Sequence, residues 1–387
     1  MPSPTVELVR EALAKVNDPE IKRPITDLGM VDDVIIDGSS ITAKILLTVA
    51  GCPMKERLTG DVTKAIAAVA PDAQISVELG VMTDEQRKSM QTNLRGGQSQ
   101  REILFAQAGS LTKVFAIASG KGGVGKSSVT VNLAIAMANR GLKVGLIDAD
   151  IYGHSIPDML GVGDSRPTQV EEMIMPVPVE TPSGTDIRVI SIGMLKPRKD
   201  QVVAWRGPML DRALVQMLSD VFWGDLDVLL LDLPPGTGDM AISLGQHLPN
   251  AEVVVVTTPQ AAAASVAERA GTMASMLHQR VVGVVENMSY LDTGSETGAG
   301  QRLEIFGSGG AQRVAATLSE RFGYEVPVLG EIPLDPKLRE GGDTGMPIIA
   351  THPDAAASKA LQEVADQLMG RSRGLAGMQL GLSPAGR

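Results

Sequence analysis

Between residues 114 and 128 the chain reads VFAIASGKGGVGKSS, an order of residue types suited to holding phosphate groups. Gly120, Gly125, Lys126 and Ser127 satisfy the spacing G-x-x-x-x-G-K-[ST]. Glycines at 120, 122, 123 and 125 let the backbone turn and approach a ligand in ways that a Cβ forbids, so successive N–H groups can converge on oxygen. The phosphate-binding stretch is therefore Gly120, Lys121, Gly122, Gly123, Val124, Gly125, Lys126, Ser127 and Ser128. Lys126 is placed to reach β- and γ-phosphates and Ser127 to offer its hydroxyl to Mg²⁺, with the positive end of the following helix behind them.

Two further stretches carry carboxylates that such a loop needs. DADIYG places Asp148 and Asp150 two residues apart at the end of an apolar run; one can hold a metal-bound water and the other orient the attacking water. VLLLDLPPGTGD ends a second run in Asp232, the form of a Mg²⁺ carboxylate, and Gly236 can offer its N–H to the γ-phosphate. Cys52, in AGCP, is the only cysteine. Its place between a strand and a helix suits a thiol of lowered pKa that attacks or ligates, and equally a small buried apolar group.

The elements that position these residues follow from periodicity. From 114 onward, apolar runs (VFAIAS, KVGLID, IRVISIG, VLLLDL, EVVVVTT, VVGVVEN, PVLGEIP) alternate with helical stretches. Near-continuous hydrophobicity predicts a mostly parallel sheet covered on both faces, with ligands at the carboxyl ends of its strands. An amphipathic helix is expected after Ser127. Residues 1–82 form a separate small α+β domain of order αββαβ: a helix over 5–16, a hairpin of VDDVIID and ITAKILLTV, a helix carrying Leu58, Val62, Ile66 and Val69, and a strand alternating from Ile75 to Val81. Residues 83–111 read as a linker with a short helix near 101–107, residues 112–369 as the nucleotide domain, and 370–387 as a flexible tail.

Composition narrows the partners. Net charge is −10 with 43% hydrophobic residues and no run long enough for a membrane span, so the expectation is a cytoplasmic protein that binds neither nucleic acid nor membrane.

GKGGVGK, with its extra early lysine, resembles the deviant Walker A loop of P-loop NTPases that include MinD, ParA and nitrogenase iron protein. DADIYGHSIP, AWRGPM, FWGDLDVLLLDLPPGTGD, TTPQ, VENMS, IFGSGG and IPLDP, in this order over about 112 to 352, resemble the Mrp/ApbC iron–sulfur cluster carrier ATPases. DPEIKRPITDLGMVDDV followed by TVAGCP resembles the SufT-like domains of iron–sulfur assembly. The resemblance implies a homodimeric Mg²⁺-dependent ATPase that delivers clusters to apoproteins or works with assembly proteins. It implies Lys121 and Lys126 on phosphates, with Lys121 crossing to the partner's nucleotide, and Ser127 and Asp232 at Mg²⁺. Asp150 positions the water, Asn287 reads adenine, Pro333 lines its pocket, and Cys52 serves as an iron–sulfur ligand.

Many members of that family carry a C-x-x-C after N-M-S, and here NMSYLDTGSETGAGQRLEIFGSGG has none. One cysteine per chain gives two thiolates per dimer, where cysteine-ligated clusters of this kind take four. Two readings remain beside the usual carrier: transient cluster binding through Cys52 with an external thiol, and an ATP-driven adaptor holding no stable cluster. A MinD- or ParA-like positioning ATPase is the alternative of another class, and it calls for a membrane-seeking helix or a basic surface.

Overall fold

The computed structural model describes residues 5–19, 21, 23–48, 54–94, 102–107, 109–171, 173–196, 207–293 and 302–371. It divides into two compact units. The smaller takes in 1–102 together with 167–176 and 220–224, and the larger holds the rest.

In the smaller unit Thr5 caps the helix Val6–Leu13, its Oγ1 accepting the Leu8 N–H at 3.2 Å. Val31–Asp37 and Ser40–Leu47 pair antiparallel, the helix Lys55–Val69 crosses over, and Gln74–Val81 returns parallel to the middle strand. Ile41, Ala43, Ile45 and Leu47 point inward with the period of two and meet Leu58, Val62 and Ile66, all of them buried. The order αββαβ matches the sequence reading. The chain from 83 is not all linker, because Asp84–Leu94 is a helix whose Met90 is buried. Its apolar signal is one residue deep, too sparse for periodicity to reveal. The short helix expected near 101–107 is a single 3₁₀ turn at Leu104–Ala106. A hairpin of Thr168–Val170 and Met173–Met175 adds Val170, Met173 and Met175 to this small core, although its sequence lies within the nucleotide domain.

The larger unit carries an eight-stranded sheet in the order Val328–Ile332, Arg280–Asn287, Glu252–Thr257, Lys113–Ser119, Val228–Asp232, Val144–Asp148, Asp186–Ser191 and Val177–Glu180. All neighbours are parallel except the last pair. Crossovers leave Lys113–Ser119 toward one edge and Val228–Asp232 toward the other. Right-handed connections therefore place their helices on opposite faces and open a crevice at the carboxyl ends of these two central strands. The helix Lys126–Ala138 departs from the expected amphipathic pattern: Val129 to Ala138 are buried throughout. The sheet lies on one side of it, and the helices Ile348–Thr351 and Ala356–Gly370 cover the other. Among the described residues no helix is long and apolar enough to cross a membrane.

Two glycines differ in what a side chain would meet, one against backbone and one in open space. A Cβ on Gly310 would lie 2.4 Å from the Thr258 carbonyl oxygen and 2.8 Å from the Pro259 Cα, whereas one on Gly60, inside the helix Lys55–Val69, meets nothing within 4 Å. Gly310→Ala is expected to destabilise the chain by about 1–3 kcal/mol through overpacking. Gly60→Ala is expected to stabilise it by about 0.5–1 kcal/mol by removing glycine's unfolded-state entropy. Urea unfolding of the full chain reads both; equal midpoints would show that the backbone at Thr258–Pro259 yields freely.

Candidate nucleotide site at the strand ends

The glycine-rich turn has the geometry that its residue types imply. Gly123 and Gly125 have φ of +80° and +79°, a region costly for any residue with a Cβ. Gly120 is fixed by proximity instead: a Cβ there would sit 2.2 Å from the Val266 carbonyl carbon, in the backbone of the helix Ala261–Met276. Gly125 caps the helix Lys126–Ala138, whose free N–H groups open onto the crevice.

Three side chains of that helix converge on Asp232, which has no exposure at all. Lys126 Nζ and Ser127 Oγ each lie 2.6 Å from Asp232 Oδ2, and Thr130 Oγ1 donates to Oδ1 at 2.7 Å. Lys126 Nζ is also 3.8 Å from Asp150 Oδ2. Asp150 Oδ1 is held by the N–H groups of Tyr152 and Gly153, both at 3.1 Å, which leaves Oδ2 on the crevice side with Lys126. The Asp232 carboxylate and Ser127 hydroxyl are the hard oxygen donors that a divalent cation such as Mg²⁺ prefers, once the Lys126 ammonium that now holds the same oxygen turns away.

Asp148 differs from both. It is the registered neighbour of Asp232 on the next strand, fully buried, and it accepts Ser191 Oγ at 3.0 Å and the Asp150 N–H at 3.2 Å. Burial, then the nearby Asp232 charge, push its carboxyl well above the usual carboxylate range.

On the far side of the turn, Gly125, Ser128, Asn287, Pro333 and Leu338 line a cavity of about 520 Å³, bordered by Asp158, Arg339 and Asp343. Asn287 Nδ2 donates to the Val124 carbonyl at 2.9 Å, while its Oδ1 is buried without a hydrogen-bond partner. An orphaned buried acceptor beside the phosphate loop suits an exocyclic amino group, the feature of adenine that guanine lacks at that ring position.

The structure thus brings Gly125, Lys126, Ser127, Ser128, Asp150, Asp232, Asn287 and Pro333 into one continuous site. Lys121 is exposed on the turn. Gly236, expected to offer its N–H to phosphate, instead donates it to the Ser119 carbonyl at 2.8 Å, so that contact must open before Gly236 can serve a ligand. Cys52 lies outside the described residues, as does the tail from 372. His154 Nε2 takes the Lys196 ammonium at 2.9 Å and His247 pairs with Asp211 at 2.8 Å, so neither stands in a ligand set. Sequence reading missed Thr130 and Ser191. Thr130 stands one helical turn beyond Lys126, a spacing that would have placed it on the same face.

The raised Asp148 carboxyl has a consequence for the nucleotide-free chain. Folded, it keeps a proton that the unfolded chain has released, so the stability present below the ordinary carboxylate pKa of about 3.9 is lost as pH rises from there through the folded value. Asp148→Asn should abolish this loss, giving a flatter stability profile and a higher urea midpoint at neutral pH than the wild type. An unchanged slope would mean that Asp148 is ionised in the folded chain.

Known proteins resemble the chain over both units. Residues 110–369 match the family described as NUBPL iron-transfer P-loop NTPase, and residues 7–78 match the one described as iron-sulfur cluster assembly protein. The "Iron-sulfur cluster carrier protein" of Mycobacterium tuberculosis is 56% identical over 381 residues, covering 98% of this chain and 97% of that one. Its namesake in Synechocystis is 38% identical over 367 residues, covering 95% and 98%. Among solved structures, a nucleotide-binding protein in complex with ADP from Archaeoglobus fulgidus is 34% identical, with a TM-score of 0.50 over 68% of this chain and 91% of that one. With the phosphate turn, its carboxylates and the N-terminal unit all accounted for, the chain belongs to the family of NUBPL-type iron-transfer P-loop NTPases that also carry an iron–sulfur cluster assembly domain.

Proposed function

We propose that this protein is a homodimeric, Mg²⁺-dependent ATPase of the cytoplasm that carries iron–sulfur clusters to apoproteins. The observation that supports this reading most is coverage: a relative named as a cluster carrier aligns with 98% of the chain, both units included. Two units retained together point to one joint task, in which nucleotide turnover in the larger unit serves a cargo handled with the smaller.

In this reading Lys126 leaves its ion pair with Asp232 to meet the phosphates, and exposed Lys121 meets the nucleotide of a second copy. Ser127 and Asp232 hold Mg²⁺, which when bound neutralises charge on the phosphate oxygens. Asp150, with one oxygen tied down by two backbone N–H groups, uses the other to orient water for attack on the γ-phosphate. Asn287 Oδ1 recognises the adenine amino group and Pro333 lines the ring's pocket. The cluster is cargo, and Cys52 is the only thiol that the chain can offer it.

Asp150→Asn is expected to lower ATP turnover roughly 10²- to 10⁴-fold while leaving nucleotide affinity within a few-fold of wild type. Equal loss of both would assign Asp150 to binding. Anaerobic reconstitution with iron and sulfide, read as iron per dimer and visible absorbance, tests the cargo in wild type and Cys52→Ala. Cluster lost in the variant supports a carrier that uses its N-terminal thiol. Active ATPase with no cluster on either protein would establish the adaptor instead.

A further inference from the structure

Thr130 is fully buried within the helix that follows the phosphate turn. Its Oγ1 lies 2.7 Å from Asp232 Oδ1 and 2.9 Å from the Lys126 carbonyl, two acceptors for one hydroxyl proton, of which the carboxylate is the nearer and the charge-assisted one. We infer that Thr130 is a positioning residue: its hydroxyl fixes the rotation of the Asp232 carboxylate, so that Oδ2 alone faces Ser127 and the metal corner. This inference rests on the magnesium–nucleotide reading proposed above.

The contacts that survive ligand binding decide how the carboxylate is turned. The end torsion of an aspartate is soft, and the carboxylate keeps one plane only while both oxygens are held. In the nucleotide-free chain Oδ2 is held by Lys126 and Ser127. Both are the groups that turn to phosphate and metal when nucleotide binds. Thr130 touches neither ligand and is fully buried on the helix, so the bond that its one hydroxyl proton makes to Oδ1 persists. Asp148 on the neighbouring strand does not replace it, since its two oxygens are engaged by Ser191 Oγ and the Asp150 N–H. A hydroxyl behind a metal-holding carboxylate acts as outer-shell partners do, by presenting the ligand atom in one orientation.

The full-length protein, titrated with a fluorescent ADP analogue in EDTA and across a Mg²⁺ series, tests this without recourse to turnover. Thr130→Val keeps the shape and removes the hydroxyl; Thr130→Ser keeps the hydroxyl and loses a methyl group. The valine variant should need roughly 10- to 100-fold more Mg²⁺ for half-maximal tightening, with affinity in EDTA unchanged, and the serine variant should behave as wild type. A wild-type Mg²⁺ response from Thr130→Val would overturn the inference. So would equal weakening of binding by both variants in EDTA, or failure of Thr130→Val and Thr130→Ala alike to fold, since either makes Thr130 a packing residue. If the wild type shows no Mg²⁺ response, the magnesium reading itself fails, and the wild-type titration alone reveals that.

Discussion

A carboxyl group with no exposure to water is costly to bury unless donors surround it, and Asp232 is the point at which this chain gathers them. One oxygen receives an ammonium and a hydroxyl, the other a second hydroxyl, and all three come from a single turn and a half of helix. The helix must therefore enter at one height and angle. That requirement explains Gly125 in the left-handed conformation at its start, and Gly120 pressed against the Val266 backbone. It also explains why the helix is buried on nearly every side: a rod that positions ionic groups in the interior must itself be gripped by sheet and helices.

Most of this site was legible because its chemistry is local in sequence. The turn, Lys126 and Ser127 fall within eight residues, and Asp232 ends an apolar run that reads as nothing but a buried parallel strand. What was not legible depends on register or on shared burial. Asp148 lies level with Asp232 because Val144–Asp148 and Val228–Asp232 pair residue for residue, a fact that no spacing within either strand conveys. The Gly236 N–H is taken by Ser119 across the crevice, which only a folded loop can show. The helix Lys126–Ala138 looked two-faced, and its second face turned out to be covered by elements more than two hundred residues later. The hairpin near 170 joined the smaller unit for a similar reason: Val170, Met173 and Met175 look like any buried strand until their neighbours are known.

Three aspartates at the same strand ends show how surroundings divide labour among identical side chains. Asp232 is surrounded by donors, one ammonium and two hydroxyls. Asp148, one strand away and equally buried, has a hydroxyl and one backbone N–H but faces Asp232, so the inexpensive state for it is the protonated one. Asp150, two residues on and beyond the strand, has one oxygen bound by successive N–H groups of its own turn and the other on the crevice side. A donor-wrapped anchor, a carboxyl of raised pKa and an oriented acceptor thus arise from one residue type. The positions, rather than the side chains, carry the specificity, and it is the parallel register of two strands with the entry angle of one helix that sets them.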